Sequence, residues 1–153
     1  MDLILWRHAE AHEAHAGRDD LARRLTPTGE RQAERVAQWL NRHLPATARI
    51  LASPARRTQE TAVALGRSFE TSPALAPGGS VDALLEAAGW PDGGGSVLVV
   101  GHQPTLGLAA AWLLARRHEA WPLRKGGVVW LRARERDGSR QVVLHAATGP
   151  DLV

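Results

Sequence analysis

Three short apolar runs, each halting abruptly at polar residues, limit the folds open to this chain more than any other feature. They are "LILW" (3–6), "RILAS" (49–53) and "SVLVVG" (96–101). A continuous apolar run of this length reads as a strand buried on both faces. The stretches between them carry helical periodicity. Thr26-Pro27 opens one helix with an N-cap and a proline at the first helical position, and Ala33, Val36, Ala37, Leu40 and Leu44 keep its spacing. A second is predicted to begin at Pro54, with Ala55, Thr58, Ala62, Leu65 and Phe69 on one face. A third, shorter one uses Val81, Leu84, Leu85 and Ala88, and a fourth starts near Pro104 and runs through Leu106, Ala109, Ala110, Leu113 and Leu114. Near the C-terminus "GVVWLRARE" (127–135) and "RQVVLHAAT" (140–148) flank Asp137-Gly138, a hairpin signal. Strands alternating with helices, then a hairpin, predict an α/β fold: a three-layer α/β/α sandwich with a mixed, mostly parallel sheet. No repeat, linker or low-complexity segment divides the chain, so residues 1–153 are expected to form one domain.

A fold of 153 residues buries roughly 70% of its unfolded surface, and 44% hydrophobic residues supply the core without staples. The absence of cysteine excludes disulfides and thiolate metal sites. The opening "MDLILWRH" has a charge at position 2 and too short an apolar run for a signal peptide or a membrane span, so a cytoplasmic protein is expected. Eighteen of the 19 basic residues are arginine, the side chain best shaped for bidentate contact with phosphate. A GC-rich coding bias, which also favours the abundant alanine and glycine, accounts for the arginines as a class. Individual arginines have to be argued from position.

In open α/β sheets, ligands gather beyond the carboxyl ends of the strands, where the next helices begin. That rule singles out "LILW|RHAE", "RILA|SPARR" and "VLVV|GHQP", which carry Arg7 and His8, then Ser53, Arg56 and Arg57, then His102. Arginines and histidines converging at helix N-termini make an anion site, and phosphate is the expected anion. The nearby run His8, His12, His15 invites a metal reading. However, "HAEAH" and "HEAH" both miss the HExxH arrangement, so His12 and His15 are expected in a polar loop with Glu10 and Glu13, with no metal. Arg56 reads as a rim residue, and the tryptophans Trp39, Trp90, Trp112, Trp121 and Trp130 as packing or rim.

These motifs resemble those of the histidine phosphatase superfamily, whose fold is phosphoglycerate mutase-like. Arg7-His8 resembles its Arg-His-Gly signature. "LTPTGERQA" (25–33), "SPARRTQET" (53–61) and "GHQP" (101–104) resemble its remaining segments in order. The short "LAPGGSVDALLEA" (75–87), where larger members carry a long insertion, resembles the compact bacterial phosphohistidine phosphatase (SixA-like) branch. Two departures stand out. Ala9 replaces the usual glycine, and no counterpart of the general acid of larger members is recognisable among Glu70, Asp82, Glu86 and Asp92.

The resemblance implies a metal-independent, cofactor-free phosphatase in which His8 attacks phosphorus and becomes a transient phosphohistidine. Arg7 and Arg57 would clamp the phosphoryl oxygens, with His102 and the Gln103 backbone amide completing the cradle. To attack, His8 must be neutral, and neighbouring Arg7 and Arg57 disfavour its imidazolium. Expelling an alkoxide needs a proton donor, whereas imidazole is a far weaker base, with a conjugate-acid pKa of about 6.5. A site without an acid therefore points to a phosphohistidine protein as substrate. Asp20 is a fallback acid or arginine-orienting residue at the substrate. A small phosphorylated metabolite is the alternative substrate. A non-catalytic, arginine-rich nucleic-acid module is a third reading, disfavoured by a net charge of only +3 and by acidic residues interspersed among the arginines. Neither nucleic acid nor membrane is expected as a partner, and a monomer is expected.

Overall fold

The structure is a computed structural model describing residues 1–17 and 19–153. Its centre is a six-stranded sheet built from β1 (Asp2–Arg7), β2 (Arg49–Ala52), β3 (Glu70–Thr71), β4 (Ser96–Gly101), β5 (Val128–Arg136) and β6 (Ser139–Thr148). The strand order is β3-β2-β4-β1-β5-β6. Pairings β1·β4, β2·β4 and β2·β3 are parallel, while β5 runs antiparallel to both β1 and β6.

Among the described residues four α-helices cover the sheet: α1 (Pro27–His43), α2 (Arg56–Val63), α3 (Val81–Ala88) and α4 (Thr105–Ala115). Side chains alternate along a strand, so a run that is apolar throughout must be covered on both faces. Ile4, Trp6, Ile50, Ala52, Leu98 and Val100 pack against Val36, Ala37 and Leu40 of α1 and Ala62 of α2. The intervening residues Leu3, Leu5, Leu51, Val97 and Val99 pack against Leu84 of α3 and Leu106, Ala109 and Ala110 of α4. The expected three layers are formed in this way. No helix among the described residues is long and apolar enough to cross a membrane.

Two helix starts follow directly from local sequence. Thr26 caps α1 by accepting from the Gly29 amide at 3.0 Å, and Ser80 caps α3 by accepting from Ala83 at 3.1 Å. The second helix differs from its prediction at both ends. It begins at Arg56, not Pro54, and closes at Val63, followed by Gly66 at φ +65°. Leu65 and Phe69 still join the α1–α2 core, but from the connection that leads into β3. Their spacing mimicked a longer helix because burial, which both conformations satisfy, is what periodicity reports. The two-residue β3 and the 3₁₀ turns at Asp20–Ala22 and Pro73–Leu75 are too short for a periodic signal.

Candidate active site

Strand register brings the three junctions level. Arg7 pairs with Gly101 across β1·β4, and Ala52 with Val100 across β2·β4. One residue further on, the His8 amide donates to the Gly101 carbonyl at 3.1 Å and the Ser53 amide to Val100 at 3.1 Å. His8, Ser53 and His102 thus leave the same edge of the sheet side by side. The His8 and His102 ring centroids are 5.4 Å apart, tilted by 57°. His8 is 6% exposed, His102 4%, Arg57 4% and Ser53 fully buried.

His8 donates from Nδ1 to the Ala9 carbonyl at 2.7 Å. A carbonyl can only accept, so the neutral ring carries its proton on Nδ1 and keeps the lone pair on Nε2. Burial, opposed by that hydrogen bond and reinforced by the charges of Arg57, Arg7 and Arg23, lowers the His8 pKa to about 4. The arginines act in the expected direction, but desolvation is the larger cause. His102 is lowered to about 3, first by burial and then by Arg57. Both rings are therefore neutral at pH 7. His102 Nε2 lies 2.7 Å from Ser53 Oγ.

The guanidinium groups are held by backbone carbonyls as well as by charge. Arg7 donates from one terminal nitrogen to the Leu123 carbonyl at 2.7 Å. Arg57 donates to the Asp20 carbonyl at 2.9 Å and to its carboxylate at 3.2 Å. Asp20 also accepts from Arg23 at 3.2 Å. Burial pushes the Asp20 carboxyl up, but the hydrogen bond from Arg23 and the charge and hydrogen bond of Arg57 outweigh it and hold it below the usual carboxylate range. The Asp20 carboxylate thus accepts from two arginines.

Gln103 sits before α4, which begins two residues later than an amide at the helix start would require. Its side chain is engaged structurally, accepting from the Gly107 amide at 2.7 Å and donating to the Trp121 carbonyl at 2.8 Å. The Gln103 backbone amide has no acceptor among the described residues. Arg56, paired with Glu60 at 3.6 Å and half-exposed, takes the rim position. His12 and His15 are exposed and line a cleft of about 680 Å³ together with Arg23, Arg24 and Arg56. That cleft shares Arg23 with the cluster, and neither His8 nor His102 lines it. No group of three His, Asp or Glu side chains among the described residues is gathered as a metal site. Of the tryptophans, Trp130 is buried in the core, and Trp39, Trp90, Trp112 and Trp121 are partly buried against it.

Three supporting contacts escaped sequence reasoning. The Thr61 hydroxyl accepts from the Ala9 amide at 3.1 Å and donates to the Arg57 carbonyl at 2.7 Å, tying the residue after His8 to the helix that carries Arg57. Arg23 reaches the cluster through Asp20. The segment from Trp121 to Gly127 backs the site with main-chain groups, including Gly126, whose amide donates to the His8 carbonyl at 3.0 Å. Thr61 stood inside a recognisable motif, whereas main-chain acceptors leave no side-chain signature.

Three buried side-chain nitrogens have no partner among the described residues: Arg7 Nε, Arg57 Nε and His102 Nδ1. All three belong to this one cluster. A buried polar group left unpaired costs about 1–3 kcal/mol, and this cluster holds three such nitrogens. A multi-oxygen anion meets that demand.

Comparison with known proteins points the same way. The profile of the histidine phosphatase superfamily (branch 1) matches residues 3–78. The chain is 31% identical over 166 residues to the phosphohistidine phosphatase SixA homolog of Haemophilus influenzae, covering 97% of this chain and 96% of that one. Among solved structures, the protein histidine phosphatase SixA complexed with tungstate superposes with a TM-score of 0.82 at 26% identity, over 99% of this chain and 98% of the other. The SixA-like protein of Nakamurella multipartita gives 0.78 at 31% identity, over 97% and 95%.

Proposed function

The chain belongs to the histidine phosphatase superfamily, in its SixA-like branch, and from that premise we propose that it is a metal-independent phosphatase that removes the phosphoryl group from phosphohistidine on a protein. His8 Nε2 is the nucleophile. Its lone pair forms the new bond to phosphorus while the N–P bond of the substrate breaks, and that electron pair stays on the departing imidazole. Once solvent has protonated the substrate ring on its second nitrogen, it leaves as neutral imidazole. Water then attacks phosphorus, the His8 N–P bond breaks, and inorganic phosphate departs with the His8 lone pair restored.

Arg7, Arg57 and His102 hold the phosphoryl oxygens through both steps, with the Gln103 amide as a further donor. Asp20 orients Arg57. The observation that carries this reading is the group of three unpartnered nitrogens around a neutral histidine whose Nε2 is free. Tungstate, bound by the SixA relative, is a tetrahedral oxyanion like phosphate.

The choice of substrate rests on the missing acid. Asp20, the carboxylate paired with Arg57, is held ionised. Elsewhere, Glu70 pairs with Arg49 and Asp92 with Arg140, while Asp82 lines a different cleft. A leaving group that brings its own proton suits such a site, and an alkoxide does not. The test is turnover of a phosphohistidine-bearing protein against phosphoserine, with acid-free quenching and mapping of the labelled residue. Label on His8 and faster turnover of the phosphohistidine protein are expected, and chelators should leave the rate unchanged. Faster turnover of the alkyl monoester would instead indicate a small-metabolite phosphatase.

A further inference from the structure

We propose that Ser53 is a positioning residue that sets the tautomer of His102, keeping the ring proton on Nδ1 as a donor for the phosphoryl group. The proposal builds on the phosphatase reading, but its core can be tested without it. Ser53 Oγ has two contacts among the described residues: it accepts from the Ala55 amide at 3.2 Å and lies 2.7 Å from His102 Nε2.

A hydroxyl carries one proton, and the Ala55 amide cannot take it. Among the described residues the only acceptor within reach is therefore His102 Nε2, which must present its lone pair. A neutral imidazole then carries its hydrogen on Nδ1, the nitrogen that is buried and unpartnered. The opposite assignment fails twice. With the proton on Nε2, the fully buried Ser53 hydroxyl would have no acceptor, and a lone pair on Nδ1 would join a cluster otherwise made of donors. The turn from β2 into α2 holds Ser53 in place: its amide donates to the Val100 carbonyl at 3.1 Å, and its carbonyl accepts from Gln59 Nε2 at 2.7 Å.

His8 and His102 therefore have complementary roles fixed by different partners. The Ala9 carbonyl leaves His8 with a free lone pair on Nε2, which suits a nucleophile. The Ser53 hydroxyl leaves His102 with a free N–H, which suits an oxyanion donor. Two neutral histidines 5.4 Å apart are thereby prevented from exchanging functions.

Ring ¹⁵N–¹H correlation spectra of the histidine-labelled protein test this, with His102 assigned by its disappearance in His102→Gln. The expected wild-type pattern is a protonated Nδ1 and a bare Nε2. In Ser53→Ala that pattern should be lost, with kcat/KM down roughly 10–100-fold, less than outright removal of an oxyanion donor. Ser53→Thr, which restores the hydroxyl, should recover the spectrum and most of the rate. A wild-type ring protonated on Nε2, or a Ser53→Ala ring that keeps the wild-type pattern, overturns the proposal whatever the rate. If the tautomers are as expected but no phosphorylated substrate is turned over, the functional reading falls while the role of Ser53 in setting the ring stands.

Discussion

A histidine beside guanidinium groups can be kept neutral by their charge or by exclusion of water, and at His8 the second effect is the larger. This matters for mutation. Arg57→Ala removes one repulsive charge but leaves the ring buried, so His8 stays neutral and the loss is in oxygen binding. Its kcat should fall by about 10²–10³-fold, the cost of one oxyanion donor, in steady-state assays. His8→Ala should abolish both turnover and the labelled intermediate. Ala9 makes a different point. Among the described residues the non-glycine positions with positive φ are Arg116 and Asp137, so Ala9 needs none of the freedom glycine offers. Ala9→Gly should leave kcat within a few-fold of wild type. Because it deletes a buried methyl and loosens the unfolded chain, it should also lower stability by about 1 kcal/mol in urea titrations.

At the level of elements, two glycines set how closely helices approach the site. A Cβ on Gly29, in the first turn of α1, would stand 1.9 Å from the Glu10 carbonyl oxygen, and one on Gly107 of α4 would stand 1.9 Å from that of Trp121. Neither neighbour is a flexible side-chain end, so backbone must move. Gly107→Ala should destabilise the protein by about 1–3 kcal/mol or more, read as a lower unfolding midpoint. By shifting the Trp121–Gly127 segment it should also weaken the Leu123 carbonyl's hold on Arg7 and reduce the rate. Gly29 was visible in sequence as part of "LTPTG", and its reason is now steric. Gly107 carried no motif, because the partner that forbids a side chain lies 14 residues away in an irregular segment. The second helix shows the converse. Its apolar spacing was legible and its end was not, since Leu65 is buried and Phe69 partly buried whether or not the helix continues to them.

For the molecule as a whole, two buried neutral histidines tie stability to pH. The folded pKa values of about 4 for His8 and about 3 for His102 lie below the unfolded value of about 6.5. Between those limits the unfolded chain binds more protons than the folded one, so stability falls as pH drops through about 6.5 and goes on falling toward pH 4. Each histidine contributes up to about 1.4 kcal/mol per pH unit in that window. Urea unfolding at pH 7 and pH 5 should show the loss, and His102→Gln should remove part of it. A stability unchanged or higher at pH 5 would contradict the buried neutral pair. Sheet architecture also accounts for what could be anticipated at this scale. Parallel strands with apolar faces on both sides predicted the layers, and the rule about carboxyl ends predicted which residues share an edge.

Covalent order alone determined a good deal: the three buried strands, because an uninterrupted apolar run has few other uses; the start of α1, because Thr26 is a local cap; and the residues at the three strand ends, because each directly follows such a run. Tertiary structure decided which of those residues meet and what surrounds each one. Only folding sets the His8 ring against the Ala9 carbonyl and the His102 ring against Ser53, 49 residues away. It also buries both rings and, among the described residues, leaves three nitrogens of one cluster without partners. The division has a physical cause. Propensity and capping act over a few residues and are written locally, whereas protonation and hydrogen-bond satisfaction depend on every group that surrounds an atom, and those groups meet only when distant segments pack.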